Sequence, residues 1–224
     1  YQRCSQLEPL LTDRLPVKKS LAGMFAGGQP TPKIAAYQWA KETYLDTGLT
    51  NPRKLSANTF TIVQYHEVDA PEAPGGMRFV FAKRQCMHCL EPECVKQCPV
   101  NALTKTAYGA VLYNTDTCIG CQTCVKACPF GIPQFDEATK KIVKCSLCAH
   151  RVGEGKQPAC VEACPTSALH FGEYKAIMAQ AKDLAAKGKL TLYGMQEAGG
   201  THVFVLVKGD PVKAGYPAVA QKGA

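Results

Sequence analysis

The stretch CIGCQTCVKACP, from Cys118 to Pro129, decides how this chain is read. Its cysteines Cys118, Cys121, Cys124 and Cys128 are separated by two, two and three residues. Three thiols two residues apart on a tight turn can each reach a different point of one polynuclear metal core. The fourth lies on the helical turn that follows and points away, toward a neighbouring site. Pro129 cannot continue an ordinary hydrogen-bonding pattern, so it breaks the chain and redirects it after the last thiol. Gly120 is read as a place where close approach of backbone to an inorganic core tolerates no large side chain.

Two further groups of four flank this one. Cys86, Cys89, Cys94 and Cys98 have gaps of two, four and three residues; Cys145, Cys148, Cys160 and Cys164 have gaps of two, eleven and three. In each group the fourth cysteine precedes a proline: Pro99, Pro129 and Pro165. Twelve of the 13 cysteines lie in these groups, and only Cys4 stands outside them. A disulfide scaffold spreads its cysteines to tie distant segments together, and short C-x2-C loops would strain such bridges. Zinc takes paired C-x2-C knuckles separated by a longer gap, a pattern the third group alone could satisfy. A c-type haem needs C-x-x-C-H, but Leu90 and Ala149 follow the first and third pairs. The second group is the bacterial ferredoxin spacing C-x2-C-x2-C-x3-C-P without a mismatch, so the reading is iron–sulfur.

In two-cluster ferredoxins the fourth cysteine of one run ligates the cluster of the other. Applied here, one 4Fe–4S cluster takes Cys86, Cys89, Cys94 and Cys128, and a second takes Cys118, Cys121, Cys124 and Cys98. Residues 102–117 between the runs read as a hairpin turning near Tyr108-Gly109. A third cluster is expected on Cys145, Cys148 and Cys160. Its fourth ligand is Cys164, closing locally, or Cys4, arriving from the N-terminal region; local closure is the reading taken.

The remaining sequence supports an α+β, bacterial-ferredoxin-like 4Fe–4S fold of short hairpins and helices. Three regions are expected: an N-terminal arm and strand region at 1–76, a multi-cluster core at 77–172, and a C-terminal helix and strand cap at 173–224. Helices are expected at 33–46 and 173–187, and strands at 59–68, 77–84, 190–193 and 202–207. The chain is 224 residues long and 46% hydrophobic, enough for a folded core. Its longest aliphatic or aromatic run, Val203 to Val207, is far short of the ~20 residues of a membrane helix.

The formal charge is +8, from 26 Lys+Arg and 18 Asp+Glu. Each oxidised cluster with four thiolates carries about −2, so three bring the total to about +2. The basicity is therefore weak support for a nucleic-acid partner, and no recognition motif accompanies it.

Gly153, Gly155 and Lys156 echo a phosphate loop but lack its glycine spacing and trailing Ser/Thr. Trp39 reads as packing. His88 could tune a cluster or simply lie at the surface. Lys83, Arg84, Lys96, Lys126, Lys144 and Arg151 lie beside cysteines, where positive charge would raise a reduction potential or merely solvate the surface. No catalytic triad or paired-acid constellation is present, so no catalytic residue is expected.

The runs RQCMHCLEPECVKQCP, CIGCQTCVKACPFGIPQF and KCSLCAHRVGEGKQPACVEACPTSALHFG, in this order, resemble the iron–sulfur subunits of the molybdopterin oxidoreductase family. They are most similar to the formate dehydrogenase β subunit. The flanking NPRKLSANTFTIVQYHEV and LYGMQEAGGTHVFVLV extend the likeness. The resemblance implies a non-catalytic electron-transfer subunit with three 4Fe–4S clusters, working between a molybdopterin-type catalytic subunit and a membrane quinone- or haem-binding subunit. It also implies a peripheral position on a membrane complex, on the periplasmic side. Two features depart from the family: KIAAYQWAKETYLD has no cysteine where a fourth run would lie, and PVKAGYPAVAQKGA is not a membrane helix. A hydrogenase or multihaem cytochrome complex, or a zinc-stapled interaction module, are the alternatives to this reading.

Overall fold

The computed structural model describes residues 54–221. The helix expected at 33–46, Trp39 and Cys4 lie outside the described residues.

The described chain opens on a long antiparallel hairpin, β1 (Ile62–Asp69) with β2 (Met77–Arg84), paired from Ile62↔Arg84 to Asp69↔Met77. Alternating β-branched and aromatic residues favour the extended backbone. Gly75 and Gly76 supply the positive φ (79° and 72°) that the connecting turn requires. The rest is built from very short elements. Helices α1 (Glu93–Lys96) and α2 (Thr123–Ala127) each precede a three-residue hairpin: β3 (Leu103–Lys105) with β4 (Val111–Tyr113), and β5 (Gln134–Asp136) with β6 (Lys141–Val143). Then come α3 (Ala149–Gly153), α4 (Ala159–Glu162), the longer α5 (Tyr174–Gly188), and β7 (Thr191–Tyr193) paired with β8 (Val205–Val207).

These pieces repeat a common plan. The pattern C-V-x-x-C-P occurs three times, beginning at Cys94, Cys124 and Cys160, and each copy carries α1, α2 or α4. Three residues after the last cysteine of each copy, Asn101, Gly131 and Ser167 adopt φ of 51°, 63° and 52°. Their N–H groups donate to the carbonyls of Cys98, Cys128 and Cys164 at 3.3, 3.1 and 3.2 Å. The proline thus ends each helix, and the left-handed residue reverses the chain. The C-x-x-C turns repeat too: His88, Gly120 and Leu147 hold the same place with φ of 48°, 72° and 56°.

Two apolar clusters hold the repeats together. Ala102, Leu103, Val111 and Ile142 pack with Cys94, Cys118 and Cys124, joining both small hairpins. Met87, Phe130, Ile132, Tyr193 and Tyr216 form the other, which draws in the C-terminal region. Each fully buried aliphatic side chain here contributes about 1.5–3 kcal/mol.

Helix α5 is capped by Glu173, whose carboxylate accepts from the N–H groups of Lys175 and Ala176 at 3.0 and 2.8 Å. After β7, residues 200–202 run along the first cysteine run: Leu90 N–H donates to the Gly200 carbonyl, and Cys89 bridges Thr201. That pairing is why the strand expected from His202 begins only at Val205. The fold is a mixed arrangement of small hairpins and few helices.

Candidate metal centre

No disulfide joins any of the twelve described cysteines. The fold gathers their thiols into sets that cut across the sequence. Cys86, Cys89 and Cys94 each lie within electrostatic reach of Cys128, which belongs by sequence to the second run, and Cys86 also lies within reach of Cys145 of the third. Cys124 is in the same relation to Cys118, Cys121 and Cys98, the last from the first run. These four thiols line one recess, walled by Val100, Leu103, Ile119 and Ile142. Each C-V-x-x-C-P turn carries its last cysteine beyond its own helix, and helices α1 and α2 pack against one another. Among the described residues no three His, Cys, Asp or Glu side chains are gathered closely enough to hold a single metal ion.

The third run is different. Cys160 lies within reach of Cys145 and Cys148. The Cys164 thiol is at the surface, where its partners are the Thr166 hydroxyl at 3.6 Å and the backbone N–H groups of Thr166, Ala168 and Leu169.

Hydrogen bonds at four of the sulfurs favour negative charge there. Backbone N–H groups of Gly120, Leu147 and Ala102 donate to Cys118, Cys145 and Cys98 at 3.4, 3.4 and 3.2 Å, and the Thr123 hydroxyl donates to Cys121 at 3.4 Å. Lysines clamp the runs through backbone carbonyls. Lys105 donates to His88 O at 3.1 Å, Lys141 to Cys118 O, and Lys144 to Cys145 O at 2.9 Å and to Val111 O. None of the three is ion-paired to a carboxylate among the described residues. Lys144 is 1% exposed and lies 5.8 Å from the Tyr113 ring centre. By contrast Lys96 pairs with Glu91 at 2.9 Å, and Arg151 pairs with Glu162. Arg84 is tied to the Phe130 and Gly215 carbonyls, both at 2.9 Å. Of the basic residues beside cysteines, Lys144 is the one with a buried cation aimed at the sites. Lys156 of the phosphate-loop echo pairs with Glu154 at 2.7 Å.

Burial pushes the thiols of Cys89 and Cys94 up to about 12 and Cys124 to about 11, with neighbouring thiols adding to the effect. Burial also raises Cys86 and Cys160. The Thr166 hydroxyl brings Cys164 down to about 7, and the Thr123 hydroxyl lowers Cys121. Crowded, buried thiols without carboxylates are a donor set that ionises only when a cation or metal cluster offsets the charge. The residues fit a 4Fe–4S group on this count.

Gly120 has a further reason beside the one read in the sequence. A Cβ there would lie 2.1 Å from the Lys140 carbonyl oxygen and 3.4 Å from the Phe135 ring. The glycine lets the β5–β6 hairpin cross the turn.

Residues 77–174 match the 4Fe-4S dicluster domain family. Together with the thiol sets, this marks residues 77–174 as an iron–sulfur domain of the ferredoxin kind. The nitrate-inducible formate dehydrogenase iron-sulfur subunit of Escherichia coli (strain K12) is 38% identical over 164 residues, 70% of this chain and 55% of the relative. The formate dehydrogenase iron-sulfur subunit of Haemophilus influenzae is 37% identical over 164 residues, 70% of this chain and 52% of its own length. The B subunit of the anaerobic dimethyl sulfoxide reductase of Escherichia coli is 46% identical over 105 residues, 47% of this chain and 51% of the relative. The chain is thus a homologue of such iron–sulfur subunits, and it spans about half the length of the curated relatives it matches. Among the described residues no helix is long and apolar enough to cross a membrane.

Proposed function

We propose that the chain relays single electrons through three 4Fe–4S clusters. It would do so between a molybdopterin-type catalytic subunit, like that of a formate dehydrogenase, and a membrane quinone- or haem-binding subunit. The observation that supports this reading is that Cys128 lies within electrostatic reach of Cys86, Cys89 and Cys94, while Cys98 lines one recess with Cys118, Cys121 and Cys124. A 4Fe–4S cluster supplies one-electron chemistry with little rearrangement. The protein's part is to hold the sites close, exclude water with Leu103, Val111 and Ile142, and set potentials through N–H···S contacts and buried cations.

On this reading Cys86, Cys89, Cys94 and Cys128 hold one cluster, and Cys118, Cys121, Cys124 and Cys98 another. Cys145, Cys148 and Cys160 supply three ligands of the third. Its fourth ligand is Cys4 or Cys164. The pattern of the first two repeats, where the last cysteine serves another run on this reading, favours a ligand from outside the third run.

The hairpin β1–β2 supports a docked partner. Its outer face carries Val63, Phe79 and Phe81 at 53%, 59% and 70% exposure, with Tyr65 packed on both phenylalanines. Apolar faces of this kind mark protein interfaces. By likeness to the family, the chain would sit peripherally on a membrane complex, on the periplasmic side. The region boundaries at 1–76, 77–172 and 173–224 are part of the same proposal.

The test is iron and sulfide analysis with EPR of the dithionite-reduced protein, followed by identification of copurifying subunits. About twelve irons per chain support three clusters, and about eight reduce the third run to zinc or to no metal. A colourless, zinc-containing protein without a paramagnetic signal overturns the reading.

A further inference from the structure

The geometry points to His88 as a residue that sets the potential of the third-run cluster, by donating its Nε2–H to Cys145, although its place in the sequence is inside the first run. The inference rests on the proposed third cluster.

His88 lies between Cys86 and Cys89, at the left-handed position that Gly120 and Leu147 hold in the other runs. Its side chain is fully buried. Nδ1 accepts the Val111 N–H at 2.9 Å. A neutral imidazole carries one proton, and a ring nitrogen that accepts a backbone N–H cannot bear it, so the proton is on Nε2. Nε2 lies 3.8 Å from Cys145 Sγ, across 57 residues of sequence. Cys145 also accepts the Leu147 N–H at 3.4 Å, so this sulfur has one donor from its own turn and one from a distant run.

The ring is held rigidly. Lys105 Nζ donates to the His88 carbonyl at 3.1 Å, and that carbonyl lies 3.0 Å from His202 Nδ1. Val111 opens β4, so the β3–β4 hairpin fixes the acceptor side of the imidazole. A donor aimed at a ligand sulfur stabilises the extra electron density of the reduced state more than the oxidised state, and so raises the potential. His88 is a positioning and tuning residue, with no part in ligation.

The test is an EPR-monitored redox titration of the holoprotein, with Cys148→Ser used to identify the third-run signal. His88→Phe keeps a ring of similar size and removes the donor. It should lower the third-run potential by an amount that changes its reduced-to-oxidised ratio about tenfold, or about 59 mV for one electron. The first- and second-run potentials should hold. His88→Gln, which can accept from Val111 and still donate to sulfur, should restore most of the shift. An unchanged third-run potential, or a shift confined to the first-run cluster, overturns the inference. Should neither variant load, pulsed EPR of the wild-type holoprotein with 15N-labelled histidine decides. Histidine nitrogen coupling to the third-run signal is expected, and its absence overturns the assignment. Iron analysis separates the two failures: two clusters refute the three-cluster reading, whereas three clusters without the shift refute only the role of His88.

Discussion

Replacing Lys144 with methionine removes a buried cation while keeping its volume, and it tests the electrostatic side of the account. Lys144 Nζ lies 2.9 Å from the carbonyl oxygen of Cys145. Ordinary bond lengths then place it within about 7 Å of that residue's sulfur. A unit charge at ~7 Å with an effective dielectric of about 20 is worth ~2.4 kcal/mol, or roughly 100 mV for one electron. Reduction adds negative charge, so losing the cation should lower the third-run potential by about that amount. The same cation acts on the thiols of Cys86 and Cys94, so the first-run cluster should shift in the same direction. The second-run cluster should shift least. The assay is a redox titration followed by EPR on protein of verified iron content, with Lys144→Arg as the charge-retaining control. Potentials unchanged within about 20 mV, or raised, refute the reasoning, since ~2.4 kcal/mol cannot be hidden by so small a change.

Gly120→Ala should destabilise the holoprotein by at least the ~1–3 kcal/mol of a strained left-handed residue, because φ is 72° and the new Cβ would meet the Lys140 carbonyl; thermal unfolding reads this, and Gly153→Ala, where the space is open, is the control. In the apoprotein an alkylating agent near neutral pH should label Cys164 first, its thiol standing near 7 at the surface, and Cys89 and Cys94 last, theirs standing at about 12. Labelling of Cys164 in the iron-loaded protein would show that it is not a ligand there. Because Cys89 and Cys94 bind their protons more tightly folded than unfolded, where thiols titrate near 9.0, they stabilise the apoprotein below that pH. That contribution should fall away as pH climbs from 9 toward 12, which chemical denaturation at graded pH measures.

The cysteine runs could be read from spacing because cluster ligation demands thiols at fixed intervals. The pairing of β1 with β2 was equally legible, since IVQYHEV and MRFVF carry the alternation and β-branching of strands. The hairpin of β5 and β6 was not. Only Phe135, Ile142 and Val143 mark it, and its turn depends on the Asp136 carboxylate accepting from Ala138 and Thr139 at 3.0 and 2.8 Å. That hairpin also supplies the contact of Gly120 with Lys140, which no local pattern shows. The direction of His88 had no sequence signal at all, because its partners Val111 and Cys145 meet it only in three dimensions. Lys144 was indistinguishable from Lys96 and Lys126 as a basic residue beside a cysteine. What separates it is burial between β4 and the third run, which no local pattern encodes.

The central claim is that the first two runs exchange their last cysteines, and Cys128→Ala tests it most directly. EPR and iron analysis of the reduced variant should show the first-run cluster lost or degraded and the second-run cluster retained, although Cys128 belongs by sequence to the second run. Loss of the second-run cluster with the first intact would contradict the exchange.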